Sequence, residues 1–335
     1  MKKIGKIIGI LAALISLSSC GSKKVNGWYQ DLDEAKKAAS SQKKNILLFV
    51  SSLYDGDGTE DGVSLLINTP EFTKAVQDDF VCVYFDFNKI PEILGQNADS
   101  LTGSEFKKLE KKQNAMRKQL MAADMYGIVD TPSAVIISRE GFYITKIDFD
   151  YLDTSVSGYK DFLYMEIGTV QDFEENLEKA RKGSLESRMD MYDTIFSTTE
   201  ERMQPSLAPL CKEAIDLDKK NESGLAGKFI TACASVEAFE CLNNRKFDDA
   251  SKIYQKYAQD ERLTATEKQV LLFYAAQIYS SSGSVNYKEV KRILTESLEA
   301  NPESEYAQDI KGYLESVEAI IAENEKNSEI TADAK

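Results

Sequence analysis

Three runs of the chain are continuous and β-rich: Ile46-Leu47-Leu48-Phe49-Val50, residues 81–87, broken only by Asp86, and Ala134-Val135-Ile136-Ile137. Unbroken runs of β-branched and aromatic residues belong to strands buried on both faces of a sheet. The segments between them repeat their apolar positions at helical spacing. Residues 31–41 predict a helix before the first strand, and Thr69 and Pro70 supply an N-cap and an N1 proline for a helix over 71–78. Residues 104–125 predict a long charged helix with Phe106, Leu109, Met116, Leu120 and Met121 available for one face. Arg139-Glu140-Gly141 turns the third strand into a hairpin with 142–149. From about residue 185 the strand patterns stop, and helices follow one another to about 322. The final stretch, 323–335, is polar without periodicity, which predicts disorder.

The N-terminus has a different logic. Lys2, Lys3 and Lys6 precede an 11-residue apolar run, 7–17. As a helix that run spans about 16 Å, too short for a hydrocarbon core of about 30 Å. It suits the apolar region of a secretory signal. The run closes in Leu17-Ser18-Ser19-Cys20-Gly21, which resembles the lipobox of bacterial lipoproteins. That resemblance implies a signal peptide over 1–19, acylation of Cys20 and a lipid-anchored tether over 20–27. Two or more acyl chains anchor stably where one does not. Residue 21 is Gly rather than Asp, so the expected place is the outer membrane, facing the periplasm.

Charge and composition then narrow the chemistry. The full chain carries −14, and removing residues 1–19 with their three lysines leaves 38 cations against 55 anions, a net −17. Nucleic acid, which selects for Lys/Arg patches, is not an expected partner. The chain contains no histidine. Ser-His-Asp and Cys-His sites, His-ligated metals and imidazole acid–base catalysis are therefore excluded. Besides Cys20 there are Cys82, Cys211, Cys233 and Cys241, none in a CxxC pair. Cys82 lies in a strand run, where a thiol is packing. Cys233 and Cys241, eight residues apart on one helix, are about 12 Å apart in rise and too distant to bridge. Cys211 can pair with either of them, or all three remain buried thiols.

The order helix, strand, helix, strand, long helix, proline-led hairpin, helix resembles the thioredoxin fold. The resemblance is carried by Trp28 with Leu32-Asp33-Glu34-Ala35-Lys36, by residues 43–50, by Thr69-Pro70-Glu71-Phe72 and by Phe80-Val81-Cys82-Val83-Tyr84-Phe85-Asp86. Most specific is Tyr126-Gly127-Ile128-Val129-Asp130-Thr131-Pro132-Ser133-Ala134-Val135, and the match covers nearly all of 28–182. It implies an α/β domain over 28–183, a central mixed sheet flanked by helices. It also implies a cis proline at Pro132 that, with Thr131, contacts extended peptides. The family's CxxC follows the first central strand at a helix N-terminus, where the dipole lowers the thiolate pKa. Here that place reads Ser51-Ser52-Leu53-Tyr54-Asp55-Gly56-Asp57-Gly58-Thr59-Glu60-Asp61-Gly62, without a cysteine. Disulfide exchange has no nucleophile there. Asp55, Asp57, Thr59 and Asp61 alternate as oxygen ligands of calcium do. An EF-hand, however, needs Gly sixth and Glu twelfth, where this loop has Glu60 and Leu66. A solvated acidic loop is the simpler reading, with Asp55, Asp57 and Asp61 as its candidate cation ligands.

Residues 244–257, with Ala250 and Tyr254 four apart, resemble the second helix of a tetratricopeptide repeat. Residues 286–302 are similar in spacing, with Pro302 at the closing position. Val290 follows Ala250 by 40 residues rather than 34, so irregular repeats and a plain helical bundle both fit an all-α domain over 184–322. The functional expectation is a membrane-anchored, redox-inactive protein- or peptide-binding scaffold without a cofactor. The alternative, a thiol-disulfide oxidoreductase of envelope maturation, lacks its CxxC.

Overall fold

The computed structural model describes residues 24–51, 69–97, 101–147, 155–283 and 285–333. Cys20, the signal peptide and the acidic loop with Asp55, Asp57 and Asp61 lie outside the described residues. The chain is mixed α/β in its N-terminal half and helical thereafter. The first half runs α1 (Leu32–Gln42), β1 (Asn45–Val50), α2 (Pro70–Val76), β2 (Phe80–Phe85), α3 (Ile90–Leu94), α4 (Gly103–Met125), β3 (Ser133–Ile137), β4 (Tyr143–Ile147), α5 (Val156–Met165) and α6 (Ile167–Ala180). The second runs α7 (Leu185–Thr198), α8 (Ala208–Leu217), α9 (Ala226–Asn243), α10 (Phe247–Tyr257), α11 (Ala265–Ser280), α12 (Tyr287–Ala300) and α13 (Ala307–Asp333).

Local chemistry sets the helix starts. The Asp31 carboxylate accepts from Glu34 N–H to cap α1, and the Thr69 hydroxyl accepts from Phe72 N–H ahead of Pro70. The sheet order is β2-β1-β3-β4, with β1 parallel to β2 and antiparallel to β3. Outside β2, Tyr29 pairs for one residue: its N–H donates to Cys82 O and its carbonyl accepts from Tyr84 N–H. Alternate strand residues feed two cores. Ile46, Leu48 and Val50 pack with Leu32 and Ala35 of α1 and Met116 and Ala123 of α4. Leu47 and Phe49 pack with Trp28, Phe72 and Val76 of α2 and Tyr159 and Leu163 of α5. Both faces are covered, which is why these strands carry no polar alternation.

The two halves share a core. Phe142 packs with Leu177 and Ala180 of α6, Met189 of α7 and Leu207. A 3₁₀ segment, Glu201–Leu207, inserts Met203 into the core of the first half. Beyond it, α9 to α13 pack each on the next around Ala238, Ala250, Leu272, Ala276, Leu294 and Ile310. Two buried hydroxyls tie neighbouring helices, Ser251 donating to Ala275 O and Ser297 to Gln269 O, both at 2.8 Å.

Three expectations need correction. The second strand ends at Phe85 rather than 87. Phe87–Lys89 turns as a 3₁₀ segment because the Ser51 hydroxyl accepts from Phe87 N–H and takes it out of the ladder. Phe106, expected on the packed face of α4, is exposed. Residues 323–333, expected to be disordered, continue α13 to Asp333. Their Glu, Lys and Ala content favours helix without an apolar face, and ion pairs from Lys288 to Glu325 and from Lys291 to Glu318 hold α13 against α12.

Candidate functional site

Two places combine exposed backbone or side chains with convergent polar groups. The first is the end of the sheet where β1 stops and β3 starts. Ser51 is fully buried; its N–H donates to Phe85 O at 3.0 Å and its hydroxyl accepts from Phe87 N–H at 3.0 Å. It is a strap between strands. Thr131 and Pro132 are half-buried and joined by a cis peptide bond. They lead into Ser133, which pairs with Val50 and whose hydroxyl is buried without a hydrogen-bond partner among the described residues. The structure therefore brings Thr131 and Pro132 to the strand end that precedes the cysteine-free segment.

The thiols are elsewhere, and all four described ones are free. Burial pushes the Cys82 thiol up to about 12 and the Cys233 thiol up to about 11, and raises that of Cys211 as well. Cys211 and Cys233 share one apolar core as protonated thiols at neutral pH. Among the described residues no cluster of three or more metal-ligating side chains occurs.

The second place is a groove of about 540 Å³ in the helical half. Helix α9 presents Lys228, Thr231, Ala232, Ser235 and Val236 to it, and α11 presents Thr266, Glu267, Val270 and Tyr274. The spacings i, i+4 and i+8 on α11 define a single helix face. Tyr306, just before α13, also lines it, as do Phe196 of α7 and Gln204 and Pro205 of the 3₁₀ segment. Tyr274 and Tyr306 keep 44% and 36% of their surface exposed. The ring of Tyr274 stands edge-on to that of Tyr254 at 6.0 Å, and the Tyr254 hydroxyl donates to Ser235 Oγ. Lys228 lies 5.2 Å over the Phe196 ring and pairs with Asp193. Glu267 closes a capping box with Thr264 at the start of α11. It lies so close to Gly227 of α9 that a Cβ there would collide with its carboxylate. A side chain at Gly227 would displace the Glu267 carboxylate from its capping position.

The tyrosine that the repeat-like spacing singles out, Tyr254, is buried and supports the wall from behind. The wall itself, Val270 and Tyr274, was missed. Its signal was available in Val270-Leu271-Leu272-Phe273-Tyr274, a helix apolar around its circumference, whose second apolar face has no role in the core.

Residues 225–326 match a family model described as an uncharacterised protein C-terminal domain. A similar protein is an uncharacterized protein of Treponema pallidum (strain Nichols), 29% identical over 102 residues, which are 30% of this chain and 34% of that protein. The match thus spans about a third of the relative's length. No solved structure matches the chain. The matched segment holds α9, α11 and Tyr306, whereas Phe196, Gln204 and Pro205 precede it.

Proposed function

We propose that this chain is a lipid-anchored binding module of the cell envelope, held by Cys20 at the outer membrane and facing the periplasm. In this reading a thioredoxin-like domain without CxxC is followed by a tetratricopeptide-like helical stack that holds an extended peptide segment of a protein partner. The observation that carries the reading is the groove between α9 and α11. Its two exposed tyrosines and Val270 offer apolar contact, while the Thr231 hydroxyl and the side-chain carbonyl of Gln204 offer hydrogen bonds to a peptide backbone. The thioredoxin-like part is supported by the sheet order with β1 and β2 parallel, by the Tyr29 pairing outside β2 and by the cis Thr131–Pro132 bond. The repeat-like part is supported by buried Ala250 with Tyr254, and Val290 with Leu294, on the second helix of each pair. Scaffold rather than oxidoreductase chemistry agrees with the burial of Cys82, Cys211 and Cys233, which raises the pKa of each of these thiols. No described helix is long and apolar enough to cross a membrane.

A photo-reactive side chain at Tyr274, used in intact cells, should crosslink to a defined segment of one partner. The synthetic peptide of that segment should bind the purified chain, and Tyr274→Ala with Val270→Glu should weaken it at least tenfold. Equal affinity of wild type and variant, with unchanged melting, rejects the groove as the site.

A further inference from the structure

Helix α4 is charged against the rest of the molecule. Over residues 103–118 it carries six cations, Lys107, Lys108, Lys111, Lys112, Arg117 and Lys118, against Glu105 and Glu110, in a chain of net −14. All six are exposed. Some cations elsewhere pair with carboxylates, as Arg181, Lys228, Arg262 and Arg292 do, and others, such as Lys219, Lys220 and Lys311, form no cluster of this size. The five lysines of α4 form no ion pair among the described residues, and Arg117 reaches only the amide of Asn114. Lys107 with Lys111, and Lys108 with Lys112, stand four apart, an arrangement that repels on a helix. Glu105 and Glu110, three residues from Lys108 and Lys107, offset only part of that repulsion.

The helix also has the apolar and positional features of a surface that meets something. Lys107, Lys111 and Lys118 line a groove of about 580 Å³ together with Leu32, Phe85 and Met125, and with Asp31, Asp33 and Glu110, which neutralise part of the charge on that side. Phe106, next to Lys107, is exposed. The chain leading from the N-terminus runs alongside: Gln119 Nε2 donates to Gln30 O at 2.9 Å. Cys20 lies ten residues before Gln30, so a lipid there is within about 35 Å of α4 even with the tether fully extended.

From this juxtaposition we infer that the lysine face of α4 rests on the surface of an anionic phospholipid bilayer. It would act as a second, electrostatic membrane contact beside the acyl anchor. The inference builds on the anchoring of Cys20 proposed above. A polybasic face with an exposed aromatic residue gains attraction to anionic headgroups and is screened within a Debye length. Beside a short tether such a face would also fix which side of the molecule meets the membrane.

The test uses residues 20–335 with Cys20→Ser, which lack both the signal segment and the acylation site, and vesicles of phosphatidylcholine with or without 30% phosphatidylglycerol. The expected result is co-sedimentation with the anionic vesicles only. Binding should fall at least tenfold in the Lys107→Glu/Lys111→Glu/Lys118→Glu variant and at raised salt. A control reversing Lys219, Lys220 and Lys311, exposed lysines elsewhere, should bind as the parent does. Absence of binding to anionic vesicles, or equal loss in the control, overturns the inference, provided circular dichroism shows the variants folded. Mass spectrometry of the N-terminal peptide from native membranes tests Cys20 acylation separately, so failure of the anchor and failure of the basic face are told apart.

Discussion

The two halves of the molecule spend their aromatic residues differently. On one face of the sheet, Trp28 stacks on Phe72 at 6.2 Å, meets Tyr84 edge-on, and Phe72 continues to Tyr159 at 4.7 Å. These rings are buried and join segments as far apart as residues 28 and 159. In the helical half the rings of Phe196 and Phe229 meet edge-on at 5.9 Å near the joint, and beyond it the core is built mainly from small and aliphatic residues such as Ala238, Ala250, Ala276 and Leu294, with Tyr254 among them. There two tyrosines are left on the groove wall. Aromatic area placed inside stabilises; the same area left at a groove is available for a partner. Cooperativity should differ too, because the sheet ties distant segments together whereas each helix from α9 onward leans on its neighbours.

The largest expected effect tests the first half of that contrast. Trp28→Ala removes a ring that is 2% exposed and whose Nε1 donates to Thr73 Oγ1 at 2.8 Å. It should cost about 3–5 kcal/mol in urea unfolding. Next comes Leu294→Ala, at a fully buried position of α12, expected to cost about 2–4 kcal/mol. Hydrogen exchange should separate the two. Trp28→Ala should deprotect all four strands, whereas Leu294→Ala should deprotect α11 to α13 and leave the sheet amides as they were. If Leu294→Ala opens the sheet equally, the halves form one cooperative unit and the contrast fails.

Much of the first half was legible because a strand covered on both faces leaves an unmistakable run of apolar residues, and because Thr69 and Asp31 cap helices through local hydrogen bonds, with Pro70 fixing φ at the first helical position. The strand end at Phe85 was not, since the residue that stops the ladder, Ser51, lies 36 positions before the N–H it takes. The joint between the halves was hidden for a related reason. Nothing in the spacing of Glu201–Leu207 marks it as a contact with the sheet, yet Met203 fills the space beside Gly127 and the Ser206 hydroxyl accepts from Tyr143 N–H at 3.0 Å. In the helical half, Ala250 and Tyr254 were found by spacing but belong to the support of the groove. Its lining residues come from α9, α11 and a 3₁₀ turn, and only the packing brings them together.

That joint provides the smallest of the predictions. Arg181, at the end of α6, donates to both oxygens of Glu140 from the β3–β4 turn, at 2.8 and 2.6 Å, and to Glu213 of α8 at 3.0 and 2.8 Å. One guanidinium thus links the hairpin to the first helices of the second half. The groups are a third exposed, so screening limits the worth of the pairs, and Arg181→Ala should cost only about 1 kcal/mol. Its pH dependence is the sharper signature. Hydrogen bonding to Arg181 lowers the Glu140 pKa despite partial burial. A carboxyl lowered on folding contributes stability above its ordinary range, near 4.3, and loses it as pH falls through the folded value. The difference between wild type and Arg181→Ala should therefore be full at pH 7 and shrink below about pH 4, and high salt should reduce it. A difference that stays constant from pH 7 to 3 would mean that Arg181 joins the halves by packing its stem rather than by its charge.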